Sequence, residues 1–353
     1  DRLAAAGGEP DPREMDALVA TGEQVSSALL ALALGARRVA ARSLLGHQIR
    51  LRTDAAFTKA RIQTIDDRPL REVLERGRVA VVAGFQGVDD EGNITTLGRG
   101  GSDTSAVALA AALGADLCEI YTDVEGVFTT DPRICPEARK VSRISYEEML
   151  ELASLGAKVL QIRSVEMAMK HGVTVHVRSS FHESEGTLVT NEDDSLEAIV
   201  VAGVALDRDV ARVTIRGVVD QPGLAATLFE ALAEAQVSVD MIIQNVSADG
   251  RTDITFTVTR SDLATARPIA EAALVAQQRG NVVVDVDLVK VSIVGLGMRS
   301  HAGVAAKMFR LLAAESINLR AISTSEIKVS CLILEDRGED AVRALHAGFG
   351  LGN

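Results

Sequence analysis

The sequence lacks the marks of several common protein classes. It has only three cysteines, Cys118, Cys135 and Cys331, odd in number, far apart and without Cys-x-x-Cys spacing. That argues against a disulfide framework and fits a reduced, cytoplasmic compartment. Six histidines show no metal-ligand spacing, so no protein-held metal is expected. No basic cluster stands out, and the net charge is −12. Neither nucleic acid nor an anionic membrane is therefore an expected partner. The longest uncharged stretch covers only residues 24–36, short of the roughly 20 that a membrane span needs. Its Ala/Leu spacing predicts a buried helix. With 353 residues, 47% apolar and 24% charged, two or three ordinary globular domains are expected.

What is present begins with Leu97-Gly98-Arg99-Gly100-Gly101-Ser102-Asp103-Thr104, followed by the apolar run 105–113. Glycines let backbone approach a ligand, and the first turn of a helix offers free N–H groups to an anion. Arg99 can clamp a carboxylate or phosphate with paired donors. An ordinary turn capped by Asp103 is the plainer alternative. A helix over 104–113 between strands over 79–84 and 118–121 is a β-α-β pattern, which builds parallel sheets with ligands at the carboxyl ends of the strands. The Gly-rich turn and the loop Thr122-Asp123…Asp131-Pro132-Arg133 then share one sheet edge. Asp11 or Asp16 starts a helix through Ala20, and a long apolar helix follows from Glu23.

Beyond about residue 190 the chain repeats itself. Arg212-Val213-Thr214-Ile215-Arg216-Gly217 returns as Lys290-Val291-Ser292-Ile293-Val294-Gly295. Leu232, Val237, Val239 and Ile242 return 80 positions later as Leu312, Ile317, Leu319 and Ile322. A self-similar β-α-β-β unit is one structural module used twice. The turns Asp220-Gln221-Pro222-Gly223 and Arg299-Ser300-His301-Ala302-Gly303 present N–H groups at helix starts, suited to a carboxylate. The strand-like run 198–206 is surplus to the first copy.

These motifs, with Thr21-Gly22-Glu23, Gly84-Phe85-Gln86-Gly87 and Ala153-Ser154-Leu155-Gly156-Ala157-Lys158, follow in an order and spacing that resembles the aspartate kinases of the amino-acid kinase family. The repeated unit resembles the ACT domain, a module that binds amino acids. The resemblance implies an α/β fold: an open, mostly parallel sheet sandwiched by helices, followed by two ferredoxin-like βαββαβ ACT domains. The implied boundaries are 1–194 for the catalytic domain, 207–283 for the first ACT domain, and 195–206 with 284–353 for the second.

The implied activity is ATP-dependent phosphorylation of the β-carboxylate of L-aspartate with Mg2+. This is the first step of lysine, threonine and methionine biosynthesis, inhibited by lysine, threonine or both. A homodimer or higher oligomer through the ACT domains is implied too. Residue by residue, Glu23 and Asp103 resemble the acids around the substrate ammonium. Arg99 resembles the clamp on its α-carboxylate, with Gly101, Ser102 and Phe85 alongside. Thr122, Asp123, Phe128, Asp131, Arg133 and Lys158 resemble nucleotide contacts, and Arg99, Asp103 and Lys158 the catalytic set. Effector contacts fall on Asp220, Gly223, Gln244, Asn245, Met298, His301, Gly303, Val304, Ser323, Thr324, Ser325 and Glu326.

One departure is the family's first strand and Lys-x-Gly-Gly-Thr-Ser loop, which this sequence does not contain; no lysine precedes Lys59. The expectation is a chain trimmed at its N-terminus. A non-catalytic, ACT-containing regulatory subunit is the alternative. An amino-acid kinase acting on glutamate or acetylglutamate is disfavoured by the tandem tail and the Thr-Gly-Glu motif.

Overall fold

A computed structural model of the chain describes residues 10–156, 159–191, 200–219, 221–246, 250–275 and 280–352. It divides into two compact units: residues 1–127, 140–154 and 158–194, and residues 128–139, 155–157 and 195–353.

The first unit opens with α1 (Pro12–Ala36), β1 (Ala41–Leu44), β2 (Arg52–Thr53), β3 (Ile62–Thr64), α2 (Arg68–Glu75) and β4 (Val79–Val82). It continues with β5 (Gln86–Val88), β6 (Ile94–Thr96), α3 (Gly101–Leu113), β7 (Cys118–Thr122) and β8 (Arg143–Ser145). The last elements are α4 (Tyr146–Ser154), α5 (Ile162–His171), β9 (Val175–Ser179) and β10 (Thr187–Thr190). Strands β1 and β4 pair in parallel. Two further sheets run in the order β3-β2-β5-β6 and β7-β9-β10-β8. Strands β4 and β7, expected to share one sheet around α3, therefore lie in different sheets. Leu44, Ile49, Leu51, Leu70 and Val73 form a buried cluster between β1, α2 and the intervening loop.

Helix α1 departs from the sequence expectation twice. It is one helix, not two: the Asp11 side chain accepts from the Arg13 amide, and Pro12 occupies the first turn, where its missing N–H costs nothing. It is also not buried, since Leu29 and Leu32 are 60% and 71% exposed. Only Asp16, Ala20 and Ser27 are buried along it. At 25 residues α1 is long and apolar enough, by length and composition only, to cross a membrane. The short uncharged stretch therefore did not decide that point.

The second unit contains β11 (Gly203–Asp207), β12 (Ala211–Val219), α6 (Leu224–Glu234), β13 (Ile242–Val246), β14 (Arg251–Val258) and α7 (Leu263–Val275). After these come β15 (Asn281–Asp285), β16 (Leu288–Val294), α8 (Val304–Ala314), β17 (Ala321–Thr324), β18 (Lys328–Leu334) and α9 (Gly338–Gly348). The first copy, β12 through β15, forms the sheet β13-β14-β12-β15. The second copy takes its fourth strand from ahead of the first, giving β11-β16-β18-β17. Gly203 sits opposite Val294 and Asp207 opposite Lys290. Repeat positions line the two cores: Leu232 with Phe256 in one, Leu312 with Met308 and Leu345 in the other. Lys290, nearly buried, is 3.2 Å from Asp207 and also binds Asp240, which ties the two copies together. All three cysteines are free and buried. Burial pushes the Cys331 thiol up to about 12, and burial with the Asp103 charge pushes Cys118 up to about 11, so neither is a nucleophile.

Residues 128–139 belong to this second unit, although the resemblance places them in the catalytic domain. The Thr129 carbonyl accepts from the Val204 amide at 2.8 Å, and Ala138 bridges to Gly352. His346 of α9 is buried against this segment. Burial holds its imidazole below the usual histidine range, with Arg139 acting the same way and Glu137 opposing. The folded protein thus binds the His346 proton less readily than the unfolded chain. The associated stability is complete above the unfolded histidine pKa of about 6.5 and is lost as pH falls below it. Thermal melts from pH 7.5 to 5.5 are expected to show His346→Gln losing less stability on acidification than wild type; parallel losses would refute this.

Candidate active site

Asp16 organises the first unit's site. It is fully buried on α1. One carboxylate oxygen accepts from the amides of Thr58 and Thr96, at 2.8 and 2.7 Å, and the other from the Thr96 hydroxyl at 2.6 Å. Thr96 ends β6 and runs directly into the Gly-rich turn. Two helical turns beyond Asp16, half-buried Glu23 lies on the same side of α1. Between them the Ala20 carbonyl accepts from buried Gln86, which also bonds Gln24. The sequence reading treated Asp16 only as a possible helix start.

The turn itself is forced by packing. Gly98 and Gly100 have φ of 81° and 73°, which side-chain-bearing residues rarely adopt. A Cβ on Gly100 would lie 2.3 Å from Gln161 Cγ, and one on Gly101 would lie 2.8 Å from Leu97 Cβ. The Gly101 amide is not free for a ligand, because it donates to the Gly98 carbonyl at 2.9 Å. Nor does Asp103 cap α3; Gly100 occupies that position. Phe85 takes a left-handed φ of 67°, unusual for an aromatic residue. Its amide donates to Ser105 Oγ, whose hydroxyl donates to the Gly101 carbonyl, both at 2.9 Å. Phe85, Gly101 and exposed Ser102 are therefore assembled around one turn. Arg163 completes it by donating to the Leu97 carbonyl at 2.6 Å and the Ala60 carbonyl at 2.8 Å. Neither Arg163 nor Gln161 was legible as a site residue, since their roles are to hold backbone.

Among the described residues the charges of this turn have no ion-pair partner. Burial pushes the Asp103 carboxyl up, against a hydrogen bond from the Gln161 amide. Arg99 is exposed. Among the described residues neither has an ion pair. Thr122, at the end of β7, donates to Asp123 at 3.1 Å. Phe128, Asp131 and Arg133 lie in the segment belonging to the second unit. Arg133 holds the Asp131 carboxyl below its usual range, donating to it at 2.7 Å. Lys158 lies outside the described residues.

In the second unit Gly223 and Gly303 open α6 and α8 with left-handed φ of 95° and 91°. Gln244 and Asn245 lie on edge strand β13, and Ser323 and Thr324 on edge strand β17. Ser325 and Glu326 follow, with Glu326 3.4 Å from Arg299. Met298 lies in a short 3-10 turn, and His301 Nδ1 is 2.8 Å from the Gly297 carbonyl. A cavity of about 580 Å³ opens beside His301, Gly303 and Val304, and Arg139, Lys307 and Arg310 also line it. Asp220 lies outside the described residues.

Known proteins match this arrangement. A sequence profile described as amino acid kinase family matches residues 1–179. A second, described as ACT domain, matches 213–274 and 291–349. An aspartokinase of Pseudomonas aeruginosa is 57% identical over 345 residues, covering 97% of this chain and 84% of its own. One from Corynebacterium glutamicum is 49% identical over 354 residues, covering 99% and 84%. Among solved structures, E. coli aspartokinase III in complex with aspartate and ADP superimposes with a TM-score of 0.80 at 28% identity, over 98% of this chain and 78% of that one. The same enzyme in complex with lysine and aspartate gives 0.77 at 29% identity, over 98% and 77%.

Asp16→Ala leaves three donors without an acceptor, each costing about 1–3 kcal/mol. Urea unfolding is expected to show a loss of about 3 kcal/mol or more, with a smaller loss in Asp16→Asn. A loss below 1 kcal/mol in Asp16→Ala would remove Asp16 from its organising place.

Proposed function

The chain belongs to the amino acid kinase family as an aspartate kinase with ACT domains, and on that premise we propose how it works: it transfers the γ-phosphoryl group of ATP to the β-carboxylate of L-aspartate. One observation carries the choice of an amino acid as acceptor. Among the described residues Asp103, a carboxylate with no cation paired to it, stands four residues from Arg99, a guanidinium with no carboxylate paired to it. That pair is the electrostatic complement of an α-amino acid. The substrate ammonium sits against Asp103, with Glu23 beside it, and restores the charged form that burial disfavours. The α-carboxylate takes the paired donors of Arg99. Phe85 and the Gly101–Ser102 backbone bound the pocket, leaving the β-carboxylate as the reacting end.

A carboxylate is already ionised at neutral pH, so the reaction needs no general base. Catalysis reduces to in-line positioning and neutralisation of spreading charge. The nucleotide falls to Thr122, Asp123, Phe128, Asp131 and Arg133, with Lys158 as the cation near the transferred group. Mg2+, when bound, screens charge on the phosphates. Among the described residues no cluster of three or more His, Cys, Asp or Glu forms a metal cage, which suits an ion carried mainly on phosphate oxygens.

For regulation we assign lysine, threonine or both to the ACT copies, with a homodimer or higher oligomer formed through them. Support comes from glycine-opened helix starts and from the cationic cavity beside His301, suited to an effector carboxylate. The edge strands β13 and β17 supply polar contacts and open backbone for a partner copy.

Arg99→Ala is expected to raise the aspartate KM and to lower kcat/KM roughly 10- to 100-fold, from loss of a charged hydrogen-bonded contact. A hydroxamate assay that detects turnover of glutamate but none of aspartate would sink the substrate assignment. Gln244→Ala and Glu326→Ala should each raise the inhibitory concentration of lysine or threonine about tenfold, within the usual 1–3 kcal/mol of allosteric coupling. Unchanged inhibition in both variants would remove the effector assignment.

A further inference from the structure

Segment 128–139 carries three of the residues assigned to the nucleotide, yet it is built onto the second ACT copy. Thr129 is where it is fastened. Its amide donates to the Arg139 carbonyl at 2.9 Å, and its carbonyl accepts from the Val204 amide of β11. Its buried hydroxyl accepts from the Arg139 amide at 3.0 Å and lies 2.9 Å from His346 Nε2 and 3.3 Å from the Leu351 carbonyl. His346 is only 1% exposed. Its other ring nitrogen lies 3.4 Å from Cys135 Sγ, whose thiol donates to the Glu137 carboxylate at 3.4 Å. A neutral imidazole, one nitrogen donating and one accepting, satisfies both contacts. One side chain thus grips the segment on either side of Asp131 and Arg133. ACT packing does not require it: α7, the corresponding helix of the first copy, contains no histidine.

We propose that His346 is a positioning residue for the nucleotide. Through Thr129 and Cys135 it fixes the conformation of the segment that presents Phe128, Asp131 and Arg133. The second ACT copy thereby sets how that segment presents those three residues. This rests on the nucleotide assignment made above.

The test measures KM for ATP, KM for aspartate and the dissociation constant of a fluorescent ADP analogue in the intact enzyme. His346→Leu and Thr129→Val are expected to weaken nucleotide binding roughly five- to tenfold, the worth of a buried hydrogen bond, with the aspartate KM within about twofold. His346→Gln, which places an amide near Nε2, recovers most of the loss. Should His346→Leu fail to fold, the near-isosteric Thr129→Val decides. A Thr129→Val enzyme with unchanged nucleotide affinity, or with both KM values raised equally, overturns the proposal. Arg133→Ala separates it from its premise. Weakened nucleotide binding in Arg133→Ala but not in Thr129→Val removes the joint and leaves the assignment standing. No change in Arg133→Ala removes the assignment and the inference with it.

Discussion

The buried carboxylate of Asp16 is the contact on which the first unit depends. A charge taken out of water is tolerated only when fully hydrogen-bonded, and Asp16 is satisfied by Thr58 from a loop and Thr96 from the end of β6. Because those donors are backbone amides and one hydroxyl, the bond fixes main-chain position. It therefore sets where β6 ends and where the Gly-rich turn begins. The turn after Thr96 inherits that placement, with its glycine conformations and the half-buried Asp103 carboxyl. Helix α1 is thus an anchor along one face, although most of its apolar side chains stay exposed.

The second unit rests on a different constraint. Strand β11 precedes the first ACT copy yet completes the sheet of the second. The chain must pass through the first copy to finish the second, so the second copy's sheet is not whole until both have formed. Lys290 reinforces this, since its buried ammonium draws one carboxylate from the end of β11 and one from the first copy. Segment 128–139 joins the same construction by bonding to β11 and α9. Segment 128–139, read from the sequence as catalytic, consequently folds within the second unit.

Much of this was legible in the sequence, and the reason differs by element. The repeat was visible because buried positions recur: Leu232 and Leu312 are both core residues, and each must be apolar in its own copy. The Gly-rich turn was visible because left-handed backbone and a 2.3 Å approach to Gln161 admit only glycine. Arg99 and Asp103 stood out because their charges sit in that turn, and Glu23 through the family resemblance alone. Asp16, Gln161 and Arg163 did not, because a residue that holds backbone through hydrogen bonds has no motif of its own. Helix α1 was misread for a related reason: an apolar run states that a helix forms, not which of its faces is covered.

Residue type and spacing alone were enough to give the family, the repeated module and the Gly-rich turn. Those properties are local: they follow from residue type, spacing and backbone freedom. It took the tertiary structure to put β4 and β7 in different sheets, and to hold segment 128–139 by a histidine more than 200 residues further along the chain. Each of those outcomes depends on contacts between distant residues, for which a single sequence carries no periodic signal.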